Sequence, residues 1–363
     1  MTNPYTLNHT QVANLLVANG HRHTMLVEGE TGIGKSAMMG ALSQKLPDHK
    51  MFYFDCTTKD LGDIYCPSIE MVDGKPVTVM APNQELGLHH DGPVVVMLDE
   101  VGKPGGGRSV QTALNRLMLE RSYGEFKLHP ESIVFATTNL AAEGLGDQFP
   151  AHSRNRVSVV QMRKPTSLEW LSWGIDNAVN AAVLSWVKDT PAVMQSFLDV
   201  KGPEDNPYIY HPNSVRAAFC TPRSMAKAAE YIDARAAIGD DVALTAALIG
   251  TIGERGAMDL MAYVTLADSL PKRADILKSP DTAKLPEGAS AICMVVFNML
   301  MSIEDNEISA WLKYLVRLPA EAQGMFVNSV REAGYRKQAS VMSHSAFTAW
   351  AIDNRYMFGG DKA

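Results

Sequence analysis

The sequence predicts an α/β fold in which helices flank a parallel β-sheet and a helical region follows. Two apolar runs, at 94–98 and 133–136, are typical of central strands that are buried on both faces. Shorter apolar runs at 24–27 and 51–54 fit two further strands. Beyond residue 165 the apolar residues recur mainly at helical spacing. We therefore expect one α/β domain followed by helices.

The composition is that of a globular protein, with 46% apolar and 20% charged residues among 363. A net charge of −7 argues against a protein that coats nucleic acid through bulk charge. The first residues lack the basic and apolar segments of a signal peptide. No apolar run reaches the roughly 18 residues that a membrane span requires. We expect a cytoplasmic protein without a membrane segment.

Residues 29–36, GETGIGKS, match the pattern G-x-x-x-x-G-K-[ST] at every fixed position. A strand-like run precedes this segment and a helix-like run follows it, which is the context of a phosphate-binding loop. A helix that begins near Lys35 would add its positive dipole end, while Lys35 neutralises phosphate charge and Ser36 ligates Mg²⁺. We expect ATP and Mg²⁺ as ligands, with nucleotide contacts from Gly29, Thr31, Gly32, Ile33, Gly34, Lys35, Ser36 and Ala37.

Polar residues end two of the predicted central strands. Asp99 and Glu100 follow the run at 94–98, at the end of the strand where α/β sheets present their ligands. We expect Asp99 to hold Mg²⁺, mostly through water, and Glu100 to polarise the water that attacks the γ-phosphate. Asn139 ends the next buried strand, where it is suited to hydrogen-bond the γ-phosphate or that water.

Two further segments lie between the predicted core strands. The Asp73-Gly74 pair within residues 71–79 predicts a β-hairpin that is inserted between core elements. Residues 103–108, KPGGGR, form a glycine-rich loop beside the expected nucleotide site. This loop fits a mobile, partner-sensing segment and a passive turn equally well, and both interpretations stay open.

Two arginines, Arg154 and Arg156, stand just before the last predicted strand at 157–160. Arginine is suited to stabilise the charge that spreads over the oxygens of a phosphoryl group during its transfer. The composition of this segment does not decide whether the arginines reach the chain's own nucleotide or that of a neighbour.

The C-terminal half is predicted to be helical, and its aromatic residues supply candidates for the core. We expect Trp311, Phe326 and Trp350 to be buried. The predicted helical stretches are residues 243–266, 288–302, 308–333 and 339–352.

These motifs, in this order, resemble the AAA+ ATPases and, more narrowly, their MoxR-like group. Residues 29–36 match Walker A, 94–100 match Walker B, and Asn139 falls on sensor 1. The hairpin matches the insert in helix 2 of the group. The resemblance therefore implies that the core is a P-loop NTPase domain with a β-hairpin insert.

The resemblance also implies roles for three arginines. Arg156, with Arg154 as a close second, falls where the family places the arginine finger, which acts on the ATP of the neighbouring subunit. Arg223, within Thr221-Pro222-Arg223-Ser224, resembles sensor 2 and would contact the γ-phosphate.

The resemblance implies three domains: a nucleotide-binding core at 1–164, a helical lid with sensor 2 at 165–268, and a helical C-terminal extension at 269–363. It further implies a homo-oligomeric ring, hexameric as in the family, that hydrolyses ATP. The client would be a protein, remodelled in a chaperone-like manner with a von Willebrand factor A-domain adaptor.

Two other functions are less compatible with the sequence. A DNA-directed motor of clamp-loader or helicase type, in replication or packaging, is disfavoured by the acidic charge balance. A nucleotide-dependent scaffold that binds ATP without much hydrolysis is disfavoured because such a protein has no need of Glu100 or of the candidate finger arginines.

Overall fold

The computed structural model describes residues 5–103, 105–143 and 154–355 of the chain. The chain divides into two compact units, Met1–Lys164 and Pro165–Ala363. Within the described residues, the helices are all too short or too polar to cross a membrane.

The first unit is built on a five-stranded parallel sheet. Its strands, in spatial order, are β2 (Lys50–Asp55), β5 (Val94–Asp99), β8 (Ile133–Asn139), β1 (Met25–Gly29) and β9 (Ser158–Gln161). The strand that leads into the phosphate loop, β1, therefore lies between the two strands of this sheet that come last in the chain. The apolar runs at 94–98 and 133–136 form its two most buried strands.

Helices cover both faces of this sheet. Alternate residues of β5 point to opposite faces, as the two-residue period of a strand requires, so Val96 and Val95 belong to different apolar clusters. Val96 packs in the cluster that contains the side chains of α4 (Gly107–Glu120). Val95 packs with α1 (His9–Asn19) and α2 (Met38–Lys45). The predicted fold class of the core is confirmed.

The predicted hairpin is also confirmed. After the short helix α3 (Leu61–Ile64), strands β3 (Tyr65–Val72) and β4 (Lys75–Pro82) pair antiparallel. Both turn residues, Asp73 (φ 51°) and Gly74 (φ 76°), have positive φ, as a two-residue hairpin turn of type I′ requires. Every residue of both strands is at least partly exposed, so the hairpin has no apolar core of its own. A second, two-residue pairing joins β6 (Ser122–Tyr123) and β7 (Phe126–Lys127).

The second unit is helical in its described part and has one apolar core. Trp311, Phe326 and Trp350 are buried in that core, as predicted. The helices are α5 (Ser167–Asp176), α6 (Ala181–Asp189), α7 (Pro222–Asp233), α8 (Arg235–Ile238), α9 (Asp241–Ile252), α10 (Glu254–Ala267), α11 (Arg273–Lys278), α12 (Ala289–Ser302), α13 (Ile308–Leu315), α14 (Ala320–Arg331), α15 (Gln338–Ser343) and α16 (Ser345–Asp353). The boundary expected at residue 268 stays a prediction.

Three of the predicted helices are interrupted. The stretch at 243–266 is two helices because Gly253, at φ 83°, turns the chain between them. The stretch at 308–333 breaks before Pro319, because a proline restricts the residue before it and cannot continue the helical hydrogen bonds. The last stretch divides at His344, which has an extended backbone and caps α16.

Candidate functional site

The phosphate-loop motif connects β1 to α2. Gly32 (φ 70°) and Gly34 (φ 102°) have backbone conformations that residues with a Cβ atom rarely adopt. At Gly29 a Cβ would lie 2.8 Å from the carbonyl oxygen of Met162, so this glycine permits a close approach to the neighbouring backbone. The sequence requirement for glycine at these positions therefore has a geometric cause.

The helix after the loop begins later than expected. We predicted a start near Lys35, whereas α2 begins at Met38. The residues in between are wound more tightly: the N–H of Ala37 donates to Gly34 O at 3.1 Å, and that of Met38 donates to Lys35 O at 3.2 Å. These bonds span three residues instead of four, so the chain enters the helix through a tight turn.

Lys35 is buried, and its ammonium group has three oxygen acceptors. Nζ donates to Gly29 O at 2.8 Å, to Glu30 O at 2.9 Å and to Asn139 Oδ1 at 2.6 Å. The contact with Asn139 joins residues that are 104 positions apart in the sequence. It arises because β1 and β8 are neighbours in register, with Gly29 opposite Asn139.

The two predicted magnesium ligands lie side by side. Ser36 Oγ donates to Asp99 Oδ2 at 3.2 Å, and Asp99 is largely buried. Hydroxyl and carboxylate oxygens are hard donors of the kind that Mg²⁺ prefers, so this pair fits the ion. In the described part of the chain, no group of three or more His, Cys, Asp or Glu side chains could hold a metal. A P-loop magnesium site needs no such group, because phosphate and water supply the other ligands.

Glu100 follows β5 in a left-handed backbone conformation, with φ 53°. This conformation is uncommon for a residue with a side chain, and it turns Glu100 away from the path of the strand. Its Oε1 accepts a hydrogen bond from Asn139 Nδ2 at 2.8 Å. Asn139 therefore bridges Lys35 and Glu100, and the structure brings together three of the predicted site residues.

Thr137 is a site residue that the sequence patterns did not indicate. Its hydroxyl donates to Asp99 Oδ1 and accepts from Glu100 N at 3.3 Å, while its carbonyl accepts from Val101 N at 3.0 Å. The signal available was a threonine within a buried strand, two residues before Asn139. Its partners could not be named without the order of the strands.

Tyr53 lies on β2, and the sequence predicts it only as part of an apolar run. Its hydroxyl donates to Asp99 Oδ2 at 2.8 Å. Strands β2 and β5 pair in register, with Asp55 opposite Asp99, and this pairing brings the hydroxyl of Tyr53 to the carboxylate of Asp99. Asp99 thus accepts hydrogen bonds from Ser36, Thr137 and Tyr53.

Glu143 was also missed. It ends a short 3₁₀ turn, Ala141–Glu143, and only 3% of it is exposed. The backbone N–H of Thr31 donates to Glu143 Oε1 at 2.7 Å. Burial raises the pKa of the Glu143 carboxyl, while the N–H of Thr31 and the charge of Lys35 oppose that rise.

The three predicted arginines differ in their surroundings. Arg154 forms an ion pair with Glu28 of β1, with Nη2 3.1 Å from Oε1. Arg156 is exposed and has neither an ion pair nor a hydrogen bond from its side chain to the residues described. Arg223 belongs to the second unit, where it is exposed in the first turn of α7, two residues after the capping residue Thr221.

The glycine-rich loop at 103–108 is attached to the segment that leads into the hairpin. The N–H of Gly105 donates to Cys56 O at 2.8 Å, and that of Gly106 donates to Lys59 O at 2.7 Å. A Cβ on Gly105 would lie 2.5 Å from Thr57 O. The described residues of this loop are therefore docked on residues 56–59.

No known family model matches the sequence, and no curated protein does. Among solved structures, the RuvB Holliday junction branch migration motor of Thermotoga maritima is similar at 13% identity and a TM-score of 0.36, over 75% of this chain and 74% of RuvB. NtrX of Brucella abortus in complex with ADP is similar at 15% identity and a TM-score of 0.39, over 96% of this chain and 68% of NtrX. Overall likenesses at these TM-scores carry no argument about function, so the assignment below depends on the motifs and on the geometry of the site.

Proposed function

We propose that this chain is a Mg²⁺-dependent ATPase of the AAA+ type that converts ATP to ADP and phosphate. The hydrogen-bonded series Lys35–Asn139–Glu100 is the observation that carries the proposal. It joins a phosphate-binding cation, a polar orienting group and a carboxylate at the carboxyl ends of three adjacent strands. This is the end of an α/β sheet where ligands bind.

Each residue has a distinct task in this proposal. Lys35 exchanges its protein oxygens for oxygens of the β- and γ-phosphates. Glu100 accepts a proton from the attacking water, and Asn139 holds the Glu100 carboxylate and that water in place. Ser36 and Asp99 hold Mg²⁺, which when bound neutralises charge on the phosphate oxygens.

The proposed assembly is a homo-oligomeric ring, a hexamer by resemblance, in which Arg156 supplies charge to the neighbouring subunit's ATP. The exposure of Arg156 and the absence of a side-chain partner for it in the described part of the chain support this role. The proposed sensor 2 residue, Arg223, would contact the γ-phosphate from the second unit. Both roles come from the resemblance to AAA+ proteins.

We further propose that the client is a protein, remodelled in a chaperone-like manner in the cytoplasm, with a von Willebrand factor A-domain adaptor as the partner that the MoxR resemblance implies. The proposal of a protein client is supported by one face of the hairpin, which exposes three apolar side chains: Ile69 (77% exposed), Met71 (67%) and Met80 (37%). Exposed apolar clusters of this kind are typical of protein interaction surfaces.

The test is the rate of ATP hydrolysis as a function of protein concentration, with light scattering to measure mass. We expect Lys35→Ala to lose ATP binding, and Glu100→Gln to bind ATP but lose turnover. Lys45→Ala and Glu125→Gln, at exposed positions, are the matched controls and should behave as the wild type.

Two outcomes would contradict the proposal. Unchanged ATP binding by Lys35→Ala would show that the phosphate loop does not bind ATP. Full ATPase activity of a monomer would exclude an active site that is completed by a neighbouring subunit. Strong stimulation by single- or double-stranded DNA would favour the DNA-directed motor instead of the protein remodeller.

A further inference from the structure

Glu143 places a buried carboxylate on the phosphate loop. Its Oε1 accepts the N–H of Thr31, the third residue of the motif, at 2.7 Å. Only 3% of the Glu143 residue is exposed to solvent. This contact crosses 112 positions of sequence and results from the turn that follows β8.

The contact lies at one particular end of the loop. Asn139, four residues before Glu143, holds the Lys35 ammonium, which also contacts the carbonyls just before Thr31. Asn139 in turn holds Glu100, the proposed base for the attacking water. The attacked phosphorus is that of the γ-phosphate, so this end of the loop is where the γ-phosphate lies.

A carboxylate on a loop N–H makes the same kind of bond as a phosphate oxygen on a loop N–H. Both are anionic acceptors of a backbone donor, and both are attracted by the Lys35 ammonium. Two anions so placed repel each other strongly where water is largely excluded. The Glu143 carboxylate and a γ-phosphate therefore compete for one region of the loop.

We infer that Glu143 occupies the γ-phosphate end of the loop with its own carboxylate, so that a nucleoside triphosphate binds only by displacing it, whereas a diphosphate leaves it in place. The inference depends on the proposed function, since it concerns the same nucleotide site. Glu143 is then a residue that sets the relative affinity for ATP and ADP, and it does not touch the reacting atoms.

A purely structural role would have a different signature. If Glu143 only fixed the shape of the loop, its removal would weaken ATP and ADP alike, because both use the loop's N–H groups. If it competes with the γ-phosphate, its removal strengthens the binding of ATP and leaves that of ADP nearly unchanged.

The experiment is calorimetric titration of the full chain with ATPγS and with ADP, both with Mg²⁺. Glu143→Gln keeps an acceptor for the Thr31 N–H and removes the charge. We expect its Kd for ATPγS to fall by about tenfold or more, since a unit charge is removed a few ångströms from a phosphate, and its Kd for ADP to change by less than about twofold. Glu125→Gln, on an exposed turn, is the control for loss of one negative charge and should change neither constant.

Glu143→Ala is the second variant, in case the glutamine variant does not fold; it also removes the charge, and should likewise favour ATPγS over ADP. Equal weakening of both nucleotides, or no change in their ratio, would overturn the inference. Failure of the proposed function looks different: the wild-type chain would then bind neither nucleotide, or Lys35→Ala would bind both as the wild type does.

Discussion

Arg154 and Glu28 form an ion pair within one chain, with Nη2 of the arginine 3.1 Å from Oε1 of the glutamate. Glu28 directly precedes Gly29, the first residue of the phosphate loop. The pair therefore attaches Arg154 to β1 of its own chain, whereas the side chain of Arg156 has no hydrogen bond or ion pair to the residues that the structure describes.

This difference predicts unequal effects of the two arginines. Arg156→Ala should lower kcat by about 10³-fold or more, as expected for loss of an arginine finger. Arg154→Ala should lower kcat by about tenfold or less, because Arg154 only supports β1 through a partly exposed ion pair with Glu28. Recovery of activity when Arg156→Ala chains are mixed with Glu100→Gln chains would show that the finger acts between subunits. A dead Arg154→Ala variant beside an active Arg156→Ala variant would reverse the assignment.

Thr137 supports both acidic residues of the site, which predicts an effect on stability and on turnover. Thr137→Val keeps the shape of the side chain but leaves Asp99 Oδ1 without one donor and Glu100 N without its acceptor. We expect a loss of about 1–3 kcal/mol in the free energy of unfolding and a lower kcat. Thermal unfolding and steady-state kinetics measure these effects. Thr137→Ser, which keeps the hydroxyl, should restore most of kcat; if it does not, the hydroxyl is not the important group.

Tyr53 predicts an effect on the magnesium requirement. Tyr53→Phe removes one hydrogen bond to Asp99 and leaves those from Ser36 and Thr137. Because partners of this kind orient a metal-binding carboxylate, the Mg²⁺ concentration for half-maximal activity should rise by about tenfold. At saturating Mg²⁺ the kcat should be close to that of the wild type. Tyr231→Phe, at an exposed site in the second unit, is the control. An equal rise in the Mg²⁺ concentration for half-maximal activity of this control would contradict the role of Tyr53.

The docked glycine loop predicts a cost in stability. In Gly105→Ala the new Cβ would meet Thr57 O at 2.5 Å, so the backbone must move. We expect a loss of about 1–3 kcal/mol, as for other overpacked sites, measured by thermal or urea unfolding. In Gly40→Ala, within α2, the new Cβ meets no atom within 4 Å. That control should be neutral or slightly stabilising, and equal effects of the two variants would contradict the role of docking.

The buried Glu143 predicts a dependence of ATP binding on pH. Burial raises its pKa above the usual value of a glutamic acid; the Thr31 N–H, Lys35 and Lys103 oppose this rise, and Glu30 adds to it. A protonated carboxyl is neutral and no longer repels a phosphate. The ratio of the wild-type Kd for ATPγS to that of Glu143→Gln should therefore fall towards one as the pH falls through this pKa. A ratio that rises on acidification would contradict the prediction.

Local sequence patterns were sufficient for the parts of the molecule that depend on near neighbours. The phosphate loop, the buried strands and the hairpin turn each need particular residue types within a short stretch of sequence. Those residue types are present, so the sequence predicted these elements. The helix limits at Met38 and Gly253 depended on hydrogen bonds and turns that the apolar spacing does not encode.

The residues that the sequence analysis missed have partners far away in the chain. Thr137 lies 38 positions from Asp99, Tyr53 lies 46 positions from it, and Glu143 lies 112 positions from Thr31. The strand order brings these pairs together, and it could not be read from any one segment. Polar residues within or just after buried strands were the available signal, but that signal does not name a partner.

The attachment of the hairpin has a mechanical consequence. Each of its strands has eight residues, a length of about 27 Å. Residues 56–59 precede the hairpin in the chain, and their carbonyl groups accept hydrogen bonds from the N–H groups of Gly105 and Gly106. These glycines lie five and six positions after Glu100 in the sequence. A rotation of about 3° at the base of the hairpin would carry the tip through about 1.4 Å over that length. A small rotation at residues 56–59 would therefore become a displacement of more than about 1 Å at the tip of the hairpin.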